Sequence, residues 1–264
     1  MKIDWSRAKK QTLWNYEDLI AKLQSVLDYD FVQEHYNHTF KQARIYANKI
    51  RSGYLQNQGD KIVFIDNMAA NLEKFEKLGI KNYTKLVCQV ATREQCITFL
   101  QETDFDFDKL IQTLNYLLRW VLPFKTPIRE FIDVKIAAEM KYLASLKLHK
   151  IGSNLDIIDL GRNKTGRKKL SSITGIPQTF IMRLVHKADI SRLAYVRGKT
   201  VEHLCGSGYD TLEKLAAANF TEMEVKMEAY YKTLGKSLSD FKAVIPLSWM
   251  VGGAKILPRI VKAD

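Results

Sequence analysis

Apolar side chains recur along the whole chain at the three- and four-residue spacing of helices. The stretch 30–54 shows it most clearly, and a shorter stretch at 16–27 precedes it. The positions that return at this spacing in the longer stretch are Phe31, His35, His38, Ala43, Tyr46, Ala47 and Ile50. Because two such helices in sequence can pack their apolar faces together, we predict an N-terminal helical hairpin at residues 1–60.

The rest of the chain, residues 61–264, is predicted to be a second domain of short helices. A polar loop with a glycine at residues 56–61 separates the two domains. The predicted helices are 69–78, 83–90, 92–102, 107–121 and 127–148, with further short helices from residue 155 onward. Only five prolines and 13 glycines interrupt the chain, so we predict an all-α fold.

Two segments of this second domain resemble each other at an offset of 71 residues. The matching apolar positions include Ile80 and Ile151, Leu86 and Ile157, Phe99 and Leu170, Phe105 and Ile176, Leu110 and Ile181, and Leu114 and Val185. We therefore predict two related helical units, at about 63–122 and 140–264. The surfaces differ, because three acids follow Thr103 where none follows Thr174. This predicts that only the later unit meets an anion.

Positive charge is concentrated in that later unit. Residues 140–200 contain 13 Lys and Arg and three Asp, so ten of the chain's twelve net positive charges lie there. Such a local field attracts nucleic acid, an acidic protein or an anionic membrane surface, unless it is a solvated face with no partner. We expect nucleic acid, with duplex DNA as the first candidate, or an acidic protein, and neither a membrane nor a small-molecule substrate.

The segment 166–192, GRKKLSSITGIPQTFIMRLVHKADISR, resembles a helix-hairpin-helix unit of the family catalogued as domain of unknown function 4332. The elements that carry the resemblance are Arg167 to Lys169, Thr174-Gly175-Ile176, and Ala188-Asp189-Ile190 with Arg192. The resemblance continues through residues 196–215 and 246–261. It implies tandem helix-hairpin-helix-like units. In DNA-binding members of the wider class, free amides at the turn hold a phosphate without reading bases.

Ten residues are therefore candidates for contact with a phosphate backbone. They are Arg162, Lys164, Arg167, Lys168, Lys169, Gly175, Arg183, Lys187, Arg197 and Lys199. Two features depart from the DNA-binding pattern: Pro177 replaces the second hairpin glycine, and Tyr195-Val196-Arg197 occupies the place of two glycines in the next hairpin. For Gly175, a purely structural role and a phosphate contact both stay open.

No catalytic or metal-binding pattern is complete. Gly161 and Gly166 have the spacing of a nucleotide-binding loop, but Arg167 and Lys168 follow them where Lys and then Ser or Thr would be needed. His35 and His38 have no further ligands at suitable spacing, and Asp104, Asp106 and Asp108 lack the glycine and glutamate of a calcium loop. We expect no enzyme activity, cofactor or metal.

Cysteine usage and the absence of long apolar runs indicate a cytoplasmic protein. Cys88, Cys96 and Cys205 form no CxxC pair and read as buried thiols in a reducing compartment. No signal peptide is visible, and no run approaches the length that spans a bilayer.

The sequence thus predicts a non-enzymatic protein that binds nucleic acid independently of base sequence. The alternative is a protein-interaction or scaffold subunit whose basic face meets an acidic partner.

Overall fold

The computed structural model describes residues 3–54, 59–241 and 243–262, and within these ranges it contains helices and no strand. The predicted all-α fold is confirmed. The chain forms two compact units, Met1–Leu122 and Pro123–Asp264.

The first unit contains eight α-helices in its described part. They are α1 (Ser6–Thr12), α2 (Tyr16–Leu27), α3 (Asp30–His35), α4 (Phe40–Tyr54), α5 (Gly59–Lys77), α6 (Tyr83–Gln89), α7 (Arg93–Thr103) and α8 (Phe107–Tyr116). A π-helical turn at Leu117–Val121 extends α8.

The second unit also contains eight α-helices in its described part. They are α9 (Ala137–Leu148), α10 (Asn154–Gly161), α11 (Lys164–Thr174), α12 (Gln178–Ile190), α13 (Gly198–Gly206), α14 (Leu212–Ala216), α15 (Phe220–Thr233) and α16 (Leu247–Ile256). Short 3-10 turns lie at Ile128–Phe131 and Leu238–Asp240.

Two of the long predicted helices are shorter than expected. The stretch 30–54 is divided into α3 and α4, because Thr39 pairs with Asn82 in an isolated bridge and its hydroxyl accepts the Gln42 N–H at 3.3 Å, which starts a new helix. The stretch 127–148 is helical only from Ala137 onward. Before it, the Glu139 carboxylate accepts the Asp133 N–H at 2.8 Å and holds an irregular segment in place.

The chain divides after Leu122, whereas the sequence suggested a boundary near residue 60. Of the predicted boundary loop at 56–61, residues 56–58 lie outside the described residues. On either side of it, α4 and α5 pack against each other, with Arg44 near Glu73 and Glu76 at 3.5 and 3.4 Å. The loop therefore joins two helices of one unit.

The offset of 71 residues also relates the helix boundaries. The helices α6, α7 and α8 begin at residues 83, 93 and 107, and α10, α11 and α12 begin at 154, 164 and 178. Asp104 and Gly175, which are related by the same offset, both have a left-handed backbone at the end of a helix. The boundaries thus repeat together with the apolar positions from which the duplication was predicted.

A buried ion pair lies inside the second unit. The Arg192 guanidinium donates from Nε to Asp189 Oδ1 at 2.8 Å and from Nη2 to the Pro258 carbonyl at 3.1 Å. The side chains of Arg192 and Asp189 are 0% and 3% exposed. This pair connects the end of α12 to the segment after α16.

None of the described helices is both long and apolar enough to cross a membrane.

The three cysteines differ in exposure, so the expectation of three buried thiols is wrong for one of them. Cys88 is exposed, Cys96 is buried and Cys205 is half-buried, and all three are free. Burial raises the pKa of the Cys96 thiol, and it raises the pKa of Cys205 to about 11.

We expect one thiol per chain to react rapidly with a disulfide reagent near neutral pH. Attack requires an accessible thiolate, which Cys96 and Cys205 do not offer, so Cys88 should react alone and the others only after unfolding. Release of the coloured thiolate from the reagent measures this. A Cys88→Ser variant should lose the rapid phase, and a second rapid equivalent in the unaltered protein would contradict the assignment.

Candidate nucleic-acid interface

The turn between α10 and α11 is shaped by two glycines. The Asn163 side chain caps α11 by accepting the Gly166 N–H at 2.8 Å. A Cβ atom on Gly166 would lie 2.0 Å from the Leu160 carbonyl oxygen, and one on Gly161 would lie 2.7 Å from a Val185 methyl group. The spacing that suggested a nucleotide-binding loop is therefore explained by close packing of α10, α11 and α12.

The outward face of α11 is basic. Lys164, Lys168 and Lys169 are exposed, together with Thr165 and Ser172. The helix contains no acidic residue, and none of the three ammonium groups forms an ion pair within the described ranges. Lysines one turn apart on a helix are about 5–6 Å apart at Cβ, so this face presents a compact set of cations and hydroxyl groups.

Arg167 does not belong to this face, so its assignment to the phosphate-contacting set is corrected. Its side chain is buried, and the guanidinium donates to the carbonyls of Gly161 and Lys262, both at 3.1 Å. On a helix, Arg167 lies on the same side as Leu170 and Thr174, three and seven positions later. That spacing was the signal in the sequence that could have separated it from Lys168 and Lys169.

Lys262 is a candidate that reasoning from the sequence missed. Its N–H donates to the Arg162 carbonyl at 2.8 Å, and its carbonyl accepts from Arg167. The Lys262 side chain is exposed and the Arg162 side chain is half-exposed. The buried arginine thus holds the C-terminal segment beside the α10–α11 turn and adds a cation from far along the chain.

Gly175 shapes the hairpin between α11 and α12. Its φ is +68°, a left-handed conformation that glycine adopts without steric cost. Its N–H already donates to the Ser171 carbonyl at 3.0 Å. The structural role left open by the sequence therefore accounts for this glycine, and its own amide is not available to a phosphate.

Two further candidates on α12 contact the segment that precedes α9. Arg183 pairs with Glu139 at 2.5 Å and lies 4.8 Å above the Phe180 ring. Lys187 donates from Nζ to the Phe131 carbonyl at 3.0 Å. Because both side chains are already engaged, they contribute less to an anion than the exposed lysines of α11.

The hairpin before α13 is also covered by that segment. Tyr195 has a φ of +61°, at one of the positions where the DNA-binding pattern has glycine. The Gly198 N–H donates to the Glu130 carboxylate at 3.3 Å, and a Cβ on Gly198 would lie 2.4 Å from the Glu130 carbonyl oxygen. An acid therefore occupies the start of α13, where the pattern would place a phosphate. Of the two candidates here, Arg197 lies 4.1 Å over the Phe124 ring and Lys199 is exposed.

The neighbouring cavity has charges of both signs. It measures about 320 Å³ and is lined by Glu130, Asp133 and Glu202 and by Lys135 and Lys187. Three carboxylates make it a poor anion site. In the described part of the chain, no three His, Cys, Asp or Glu side chains are grouped to hold a metal ion.

Comparison with known proteins identifies a family for part of the second unit. Residues 138–243 match the family described as Domain of unknown function (DUF4332), which bears out the resemblance noted above over that range. The matched range includes α10, α11 and α12. No curated protein and no solved structure matches the chain.

Proposed function

We propose that this protein binds the phosphate backbone of nucleic acid, independently of base sequence and without catalysing a reaction. The contact is made by the basic α11 surface, which we define as Arg162, Lys164, Lys168, Lys169 and Lys262. The observation that supports the proposal most directly is the outward face of α11, which carries three exposed lysines and no acidic residue. In this proposal α11, the Gly175 turn and α12 form a helix-hairpin-helix-like unit, repeated in tandem by α7 and α8.

The side chains of the surface favour backbone contact over base recognition. Lysine is a flexible point charge, whereas the bidentate recognition of guanine edges is made most often by arginine. Thr165 and Ser172, exposed on the same helix, can donate hydroxyl hydrogen bonds to phosphate oxygens. The surface therefore binds strands of different sequence equally. The related unit supports this asymmetry, because Asp104, Asp106 and Asp108 lie at the α7–α8 turn.

Binding should depend steeply on salt. With about four phosphates neutralised, the logarithm of the association constant should fall against that of salt with a slope of about −3 to −4. Raising salt from about 50 to 200 mM should then weaken binding by about 100-fold. Fluorescence anisotropy with labelled duplex DNA, single-stranded DNA and RNA, each in two unrelated sequences, measures the slope and the preferred nucleic acid.

The double variant Lys168→Glu, Lys169→Glu provides the site-specific part of the test. It should weaken binding at low salt by at least about tenfold and make the slope shallower by about two. The matched control is Lys9→Glu, Lys10→Glu, an adjacent exposed pair on α1 with the same change in charge. Absence of binding at low salt, or an equal loss in both variants, would refute the proposed surface.

A further inference from the structure

The outward side of α9 carries an apolar row. Ile136, Met140 and Leu148 are 46%, 43% and 84% exposed, and Ala144 between them is also exposed. These four residues are spaced four apart, so they form one ridge along the helix. We call it the α9 row. Single exposed apolar residues are common on proteins, but a row over three helical turns is a continuous surface.

The orientation of α9 is set by its inward side. Glu139 pairs with Arg183 on α12 at 2.5 Å. The Ser145 hydroxyl donates to the Thr174 carbonyl at 2.7 Å, and the Tyr142 ring lies 4.7 Å from that of Phe180. Because these polar and aromatic contacts would be lost if the helix turned, the row cannot be buried by rotation of α9 within the unit.

The charges around the α9 row have one sign. Lys141 and Lys147 are exposed on the same helix. The only acid of α9 is Glu139, which lies on the inward side and is already paired. A complementary surface would therefore have apolar groups along its middle and carboxylates at its edges.

We infer that the α9 row is a docking site for an amphipathic helix of a partner protein, with an apolar stripe flanked by Asp or Glu. A ridge of residues spaced four apart fits the groove of a second helix, and Ala144 near its centre allows the two backbones to approach. The row is about 18 Å long, so a partner helix of three turns covers it. The site is separate from the basic α11 surface and does not depend on nucleic-acid binding.

Two other occupants fit less well. In a symmetric dimer formed through this row, Lys141 and Lys147 of each copy would face lysines of the other copy, which is repulsive. The row contains no Trp, Phe or Tyr, the side chains that anchor helices at a membrane surface. Charge and composition thus favour an acidic helix.

The test uses the full chain and two synthetic helical peptides of about 16 residues. Both carry leucines at helical spacing, but one has flanking glutamates and the other has flanking lysines. Calorimetry should show micromolar binding of the acidic peptide and none of the basic one. Lys141→Glu, Lys147→Glu should reverse that preference, and Met140→Glu should abolish binding of the acidic peptide, whereas Lys168→Glu, Lys169→Glu should leave it at least as tight as the basic peptide's binding to the reversed variant.

The remaining outcomes overturn the inference. Absence of binding by the acidic peptide at millimolar concentration overturns it, as does equal binding of both peptides. Sedimentation with vesicles rich in phosphatidylserine that is lost in Met140→Glu would identify a membrane surface instead. Light scattering that shows a dimer, dissociated by the same substitution, would identify a second copy. Circular dichroism of each variant checks that α9 remains folded.

Discussion

Replacing Arg192 with methionine should lower the free energy of unfolding of the second unit by about 3–5 kcal/mol. The substitution keeps a long apolar side chain but removes the cation that faces Asp189. That carboxylate is 3% exposed and would be left in an apolar interior without its partner. The Pro258 carbonyl would also lose the hydrogen bond from Nη2, which loosens the segment after α16.

Amide hydrogen exchange of peptides from α12 measures this loss in the full chain and separates it from the first unit. The control is the double variant Asp189→Leu, Arg192→Met, which removes both charges. It should recover much of the lost stability, because replacing a buried ion pair by apolar side chains is often neutral. If the double variant is as unstable as the single one, packing rather than the unpaired charge causes the loss.

The single variant should also be sensitive to pH. Burial raises the pKa of Asp189, and the neighbouring Arg192 opposes that rise. Without the arginine, the folded protein holds the proton to a higher pH than the unfolded chain does, so stability falls as pH rises from the unfolded pKa to the folded one. The variant should therefore be less destabilised near pH 5 than near pH 8. Equal destabilisation at both would contradict this.

Replacing Gly166 with alanine should destabilise the same unit by about 1–3 kcal/mol. The added Cβ would lie 2.0 Å from the Leu160 carbonyl oxygen, which is backbone and cannot move aside as a side chain would. The first turn of α11 must shift away from α10. Chemical denaturation followed by circular dichroism measures the effect.

Gly152→Ala is the matched control for this substitution. A Cβ at that position has its nearest neighbour at 3.9 Å, in the Asp156 side chain, and the backbone needs no left-handed conformation. Its stability should stay within about 0.5 kcal/mol of the parent. Similar losses in both variants would show that loss of glycine itself, rather than contact with α10, is responsible.

Helix content and the repeat could be predicted from local pattern alone. Apolar spacing places α10, α11 and α12 within a few residues of their observed bounds, and the offset of 71 anticipates where they begin. Both depend on which residues share a helical face, which is a property of neighbours in sequence. The predicted helix at 127–148 failed at its beginning, because the Glu139 carboxylate holds the preceding segment in an irregular form.

The candidate surface was only partly predictable. Counting charges grouped Arg167 with Lys168 and Lys169, although the fold buries the first and exposes the other two. Arg183 and Lys187 were counted as available cations, but a carboxylate and a carbonyl of the segment before α9 engage them. Charge along the chain records how many cations there are, and burial decides which of them can meet a ligand.

The amino-acid sequence by itself determined that the protein is helical, that part of it is duplicated, and that the later copy is basic, because these follow from composition and short-range spacing. Only the tertiary structure decided which cations form a surface. Arg167 became a tether that brings Lys262 beside α11, and Glu130 came to lie at the start of α13. The physical reason is that hydrogen bonding between residues far apart in sequence depends on how helices pack, which local spacing does not encode.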